Sequence, residues 1–325
     1  MGRTDPVCVL LMADEKVGKT VTTGYGVGAI ATFAGTPAGL IPLETVVGMP
    51  DMGKRCRPAI VLEDYIKIID DVAANYKSLR GERPIVVADD IGQAAARTES
   101  VLRESKIGGW DLYKALMAQT MTLMTHAVRR RVGLVMSTHV VHPRAPTKEN
   151  PSYEQGRPKM PTAELGHALG REPSTIIYLA RSTVHPPANS QFLVGSGVPN
   201  IPGTTAPSFA TADRCNVAPP KMYPALGELL RTQGYDVPRP KEVEALDKAF
   251  EEYVMQQTQR SAVECIAQNV IARTGLIHEL IKFSVKHGAP DWALGWVITD
   301  LLGRLDLGLY RTISYSNKYL NVNFG

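Results

Sequence analysis

Cysteine is scarce in this chain, with four in 325 residues, at Cys8, Cys56, Cys215 and Cys265. They form no CxxC pair and have no histidine at zinc-ligand spacing, which argues against a metal knuckle or a disulfide framework and for a reducing compartment. Long apolar runs are missing too. Val7 to Met12 is too short for a signal-peptide core and leads into Asp14, Glu15 and Lys16, while the uncharged stretch Thr20 to Leu43 is broken by Gly and Pro. A cytoplasmic protein with no membrane partner is expected. One-sided charge is also lacking: the formal surplus is +4, which permits a polyanion partner without demanding one. The hydrophobic share of 44% and charged share of 21% are those of a globular chain with a full core, and the length suits one large α/β unit with a smaller one.

Short apolar or β-branched runs alternate with helical patterns from Val7 to about Tyr235, the signature of a mostly parallel sheet with helices on both faces. Strands are predicted at Val7 to Met12, Ala29 to Ala34, Ile85 to Ala88, Val132 to Ser137, Thr175 to Ala180 and Gln191 to Val194. Ile60 to Leu79 and Trp110 to Arg131 carry apolar residues at helical spacing, the second ending in Arg129, Arg130 and Arg131, where cations suit a helix C-terminus. Pro143 to Pro161 has no periodicity and reads as a mobile surface loop. Ser182 to Ala212 has no Asp, Glu, Lys or Arg and reads as irregular structure with room for one strand, a subunit contact being the other reading. After Pro238 and Pro240 the pattern turns helical, with Val243, Leu246, Phe250 and Val254 on one face, continued by Val263, Ile266, Val270 and Ile271 and by Trp292 to Leu309. The expected division is 1–238 and 239–325, the second part ending in a Tyr- and Asn-rich arm from Tyr310.

Ala13-Asp14-Glu15-Lys16-Val17-Gly18-Lys19-Thr20 fits the phosphate-binding P-loop (Walker A) pattern with Ala13 in place of the first Gly. A strand before it and a potential helix after it give the motif its context, and the residues expected to hold the nucleotide run from Ala13 through Thr20 to Val21. Gly18 lets successive N–H groups turn inward on the phosphates, the helix N-terminus adds positive potential, Lys19 reaches the β and γ phosphates, and the Thr20 hydroxyl suits Mg²⁺. Ala13 must accept the turn geometry that Gly takes more readily. Pro84 to Asp90 is the matching apolar strand ending in acid, with Asp89 as the second Mg²⁺ residue. Asp90 either polarises the attacking water or caps the next helix, and Glu44 competes for the role of base. Thr138 and His139, after a third buried strand, are candidates to sense the γ phosphate or are simply a hydrogen-bonded strand end. Arg181, Arg214 and Lys221 are candidates for a charge-stabilising finger. No Asn-Lys-x-Asp segment stands where guanine would be read, so ATP is expected over GTP.

These features in this order resemble the RecA-like phage nucleotide-binding proteins that include single-strand annealing ATPases. Beyond the two motifs the resemblance rests on Gly109-Trp110-Asp111-Leu112, Ser137-Thr138-His139, Thr175-Ile176-Ile177-Tyr178-Leu179 and Asp213-Arg214-Cys215-Asn216, about the first two-thirds of the chain. It implies a RecA-like P-loop core, Mg-dependent ATP hydrolysis, a homo-oligomer and a role in DNA recombination. Single-stranded DNA would meet the loop carrying Arg144, Lys148, Arg157 and Lys159. The alternative is a nucleotide-binding assembly component of a phage particle, its partners being phage structural proteins and its location the virion. The acid often found just after the second strand is displaced to Glu44, and the part after Pro240 resembles nothing we can name.

Overall fold

A computed structural model describes residues 7–20, 22–23, 31–36, 40, 56–75, 84–181, 190–214, 221–222, 225–232, 239–268, 270–289 and 293–301. The strands are β1 (Cys8–Ala13), β2 (Ala31–Gly35), β3 (Cys56–Pro58), β4 (Ile85–Ala88), β5 (Gly133–Val141), β6 (Arg157–Pro158), β7 (Thr175–Arg181), β8 (Ser190–Leu193), β9 (Ala212–Asp213) and β10 (Lys221–Met222). The helices are α1 (Leu62–Asn75), α2 (Ile91–Glu104), α3 (Gly109–Arg130), α4 (Ala163–Leu169), α5 (Leu226–Thr232), α6 (Lys241–Thr258), α7 (Ala262–Ala267) and α8 (Arg273–Lys286), with a further helical stretch at 293–301.

The chain is an α/β protein built on a mostly parallel mixed sheet in the order β10-β8-β7-β1-β5-β4-β2-β3. From β7 to β3 every neighbouring pair is parallel, and antiparallel β8 and β10 extend the β7 edge. All six residues of β1 are buried, as a strand covered on both faces requires. Its side chains alternate between two cores. Leu10 and Met12 join Val86, Leu134 and Met136 against Leu62, Tyr65 and Ile69 of α1, Ala94 and Ala95 of α2 and Leu123 of α3. Val9, Leu11 and Ala13 join Val87, Val135 and Ile177 in a cluster that runs on through Leu226 and Leu229 of α5, Phe250 of α6, Leu280 of α8 and Trp296. Helices therefore cover both faces, and burying a side chain such as Leu10 contributes about 1.5–3 kcal/mol.

Arg239 ties the C-terminal helices together. Its guanidinium donates to Glu228 of α5 at 2.7 Å, Asp247 of α6 at 2.9 Å and Asp300 at 3.3 Å. The expected boundary at 238/239 has its first residue outside the described set. Among the described residues no helix is long and apolar enough to cross a membrane.

Several sequence expectations are corrected. β5 runs four residues past Ser137, through Thr138 and His139 to Val141. Pro143 to Pro161 is pinned rather than free: Arg144 and Glu154 exchange backbone hydrogen bonds, Gly156 N–H donates to Ser208 O, and β6 pairs with the end of β5. Ser182 to Ala212 holds β8 where a strand was expected, and its described apolar side chains Val198, Ile201 and Phe209 are buried within the chain rather than presented to a subunit. As for the helical unit expected after Pro240, the helix bearing Val243 ends at Gln259, in left-handed backbone, and a separate short one opens under a capping box in which Ser261 and Glu264 satisfy each other's N–H groups. Glu44, Val21, the arm from Tyr310 and residues 302–309 of the last predicted helix lie outside the described residues.

Candidate functional site

The carboxyl ends of β1, β4 and β5 lie side by side, and the chain leaves β1 for β2 on one side of it while β5 leads to β7 on the other. A crevice at such a reversal is where open α/β sheets hold ligands. The loop after β1 turns tightly there, with left-handed backbone at Lys16 (φ 60°) and Gly18 (φ 94°). Ala13 is instead the last, fully buried residue of β1, so its replacement of Gly imposes no left-handed strain, which falls at Lys16 and Gly18. A helix opens directly behind, where Thr22 N–H donates to Gly18 O at 2.8 Å.

Lys19 is drawn back into this loop. Its ammonium donates to Asp14 O at 3.0 Å and Ala13 O at 3.3 Å and lies 3.1 Å from His139 Nδ1. Burial pushes the Lys19 ammonium below its usual range, against the opposing pull of Asp90, Asp89, Asp14 and Glu15. Thr20 Oγ1 donates to Asp89 Oδ2 at 2.9 Å across 69 residues of sequence. Ser137 completes the group: its hydroxyl donates to Asp89 Oδ1 and accepts from Asp90 N–H at 2.9 Å. Tyr65 donates to Asp89 O at 2.7 Å from beneath. Burial raises the Asp89 carboxyl, the Ser137 and Thr20 hydroxyls lower it, Asp90 adds to the rise and Lys19 opposes it; the net direction is up.

Of the two readings of Asp90, the helix cap is the one seen. The residue sits in left-handed backbone (φ 49°) as the cap of α2, Oδ1 accepting from Gln93 N–H at 3.2 Å, while Oδ2 faces His139 Nε2 at 3.4 Å. Strain of this kind gathers at functional positions. His139 thus stands between Lys19 and Asp90. Thr138 does not join them. Because β5 continues, alternation turns Thr138 to the opposite face, where it is fully buried and donates to Lys159 O at 3.3 Å. Of the loop residues, Asp14 accepts from Tyr178 at 3.3 Å and lies 2.6 Å from His142 Nε2, Glu15 is exposed and Val17 packs on the core. Burial, with Asp14 adding to it, pushes the Tyr178 phenol up to about 12.

The finger candidates separate as well. Arg181, ending β7, donates to Lys16 O at 3.2 Å and so stands at the loop. Arg214 follows β9, which pairs with the opposite end of β7, and it donates to the carbonyls of Arg171 and Glu172, at the wrong edge of the sheet. The Lys221 side chain lies outside the described residues. Beside Asp90 and His139 opens a cleft of about 410 Å³, lined also by Glu15, Gly92, Gln93, Ala96, Lys159, Met160 and Pro161.

Among the described residues no three His, Cys, Asp or Glu side chains gather as a metal cage. The adjoining Thr20 hydroxyl and Asp89 carboxylate are nonetheless an oxygen pair of the kind that Mg²⁺ uses when substrate phosphates and water supply the rest of its shell. Sequence reading missed Ser137, Tyr65, His142 and Gly92. Ser137 alone had a signal, since it lies two residues before His139 and so on the same face of a strand.

Fold and site together define an α/β protein with a polar, charge-rich crevice at the carboxyl edge of a mostly parallel sheet. No family model matches the sequence, and no curated protein matches it either.

Proposed function

We propose that the chain is a RecA-like P-loop protein that binds ATP with Mg²⁺ at Ala13 to Thr20 and hydrolyses it to ADP and phosphate. One observation carries this reading: residues from three separate strand ends pair up, Lys19 with His139 and Thr20 with Asp89, around a loop whose left-handed Lys16 and Gly18 turn it back on itself. The strand order, with β1 between β7 and β5, suits the same class.

In this mechanism Lys19 exchanges its carbonyl partners for the β and γ phosphate oxygens, and the N–H groups at the helix opening hold the same phosphates. Thr20 and Asp89 would hold Mg²⁺, which when bound neutralises charge on the phosphates. Asp90 Oδ2 takes a proton from a water in the cleft as its oxygen attacks the γ phosphorus, the bridging P–O bond breaks, and ADP departs. His139, 3.4 Å from that oxygen, orients the carboxylate. Specificity for ATP rests on the missing guanine-reading segment.

Phosphate release and nucleotide affinity, measured on the wild type and Lys19→Ala, test the reading. Affinity for ATP is expected to fall at least about 100-fold in the variant, since a charge-assisted contact to two phosphates is lost. Unchanged affinity overturns the site. The resemblance takes the reading further, to an oligomer acting on single-stranded DNA. Arg144 and Arg157 both face Glu154, so of the loop cations the exposed Lys148 and Lys159 are the ones left to meet DNA. Stimulation of hydrolysis by single-stranded DNA at low salt supports that role, and no stimulation removes it.

A further inference from the structure

We propose that Lys159 is the cation that stabilises the γ phosphate during transfer, supplied by the same chain rather than by a partner; this rests on the nucleotide reading above. Phosphoryl transfer spreads negative charge over the equatorial γ oxygens, and a P-loop lysine alone leaves the side facing the attacking water without a positive group. That side is the cleft, and Lys159 is the lysine among its lining residues, across from Glu15 of the loop and beside Asp90 and His139.

The backbone of Lys159 is held to the site from three directions. Its N–H donates to His139 O at 2.8 Å, its carbonyl accepts from Thr138 Oγ1 at 3.3 Å, and the same carbonyl lies so close to Gly92 that a side chain there would begin 2.3 Å from it. His139, Thr138 and Gly92 each adjoin the catalytic groups: His139 touches Lys19, Thr138 follows Ser137, and Gly92 is the second residue of the helix that Asp90 caps. The segment carrying Lys159 is therefore fixed, while its exposed side chain makes no ion pair or hydrogen bond among the described residues and stays free to swing onto a phosphate. Two carboxylates, Asp90 and Glu15, line the cleft with Lys159, so the opening is polar. Of the other candidate cations, Arg181 donates to the loop backbone and Arg214 lies at the far edge of the sheet, while the Lys221 side chain lies outside the described residues.

The test compares binding of Mg-ADP with binding of Mg-ADP and aluminium fluoride, which mimics the transferring phosphoryl group, in the wild type, Lys159→Met and Lys159→Arg, beside ATP hydrolysis and thermal melting. The wild type is expected to bind the analogue about 100-fold more tightly than ADP. Lys159→Met keeps the ADP affinity and the melting temperature, loses at least about tenfold of that tightening and slows hydrolysis about 100-fold; Lys159→Arg restores part of both. If Lys159→Met tightens on the analogue as the wild type does, or if the wild type binds ADP without tightening, Lys159 is not the stabilising cation. A wild type that binds no nucleotide at all overturns the site reading and this assignment with it.

Discussion

Replacing Gly92 with alanine puts a methyl carbon 2.3 Å from Lys159 O and 2.8 Å from Thr138 Oγ1, where real methyl contacts stay beyond 3.0 Å. The nearer atom is backbone, held in place by the β5–β6 pairing, so the segment carrying Lys159 must retreat by the better part of an ångström. Two energies oppose each other. Alanine favours the helix over glycine by about 1 kcal/mol, and overfilling a packed contact costs about 1–3 kcal/mol. The net expectation is a loss of up to about 2 kcal/mol, read by urea unfolding. Displacing a catalytic group by about 1 Å costs on the order of 100-fold in rate, so phosphate release should fall by that order while ADP affinity holds. Gly275→Ala is the control. That glycine is also helical, but its added methyl would meet only Ile271 Cγ2 at an ordinary 3.4 Å, so it should gain stability and leave phosphate release alone. A Gly92→Ala protein as stable and as active as the wild type would refute both the collision and the role of the segment.

Two further substitutions test the electrostatics. Burial raises the Asp89 carboxyl above its unfolded range, so its contribution to stability is full below the ordinary carboxylate range and is lost as pH rises through the folded value. Asp89→Asn should therefore melt about 2–4 °C higher at pH 7 and converge with the wild type in acid, while Mg-dependent nucleotide binding disappears; a lower melting point at pH 7 contradicts the sign. Arg239→Met takes the guanidinium from Glu228, whose side chain is only 2% exposed, and from Asp247 and Asp300, leaving Glu228 with Arg231 at 3.4 Å. The expected cost is about 3 kcal/mol at neutral pH. Burial and Asp300 raise the Glu228 carboxyl, against Arg239 and Arg231, so removing Arg239 raises it further; protonation in acid then relieves part of the loss. A cost below about 1 kcal/mol in urea at pH 7 would show that the cluster does not hold the C-terminal helices.

The long elements were legible because their patterns have only one cheap solution. Ile85 to Ala88 is four apolar residues bounded by Pro84 and Asp89, and it is β4 to the residue. α3 differs from its predicted span by one residue at each end, since Leu112, Leu116 and Met124 mark a buried stripe, although Val128, read as part of it, is exposed, and Arg131 in left-handed backbone stops the helix. The short strands were not legible. β3, β6, β9 and β10 have two or three residues each, too few for any period, and they exist because a neighbouring strand has unpaired N–H and C=O groups to satisfy. The break between α6 and α7 was not placed from sequence, although the local capping pair Ser261 and Glu264 marks it.

In the site, sequence order located the loop and Asp89 because both patterns are local: one unbroken run of residues defines each, Ala13 to Thr20 and Pro84 to Asp90. What it misread follows from the length of one strand. Taking Thr138 and His139 together as the polar end of the strand makes them equivalent candidates, whereas extending β5 to Val141 assigns them to opposite faces and puts Ser137 with His139 on the side of Lys19 and Asp89. The same extension gives β5 free edge groups at Val140 and Val141, which Arg157 and Pro158 satisfy, and that pairing brings Lys159 to His139 O. A segment read as a mobile loop, with Lys159 as one of its DNA-facing cations, becomes a wall of the cleft. The misplaced strand end and the loop read as mobile are therefore one error, and Gly92, with no chemistry of its own, matters because it is the surface on which that wall rests.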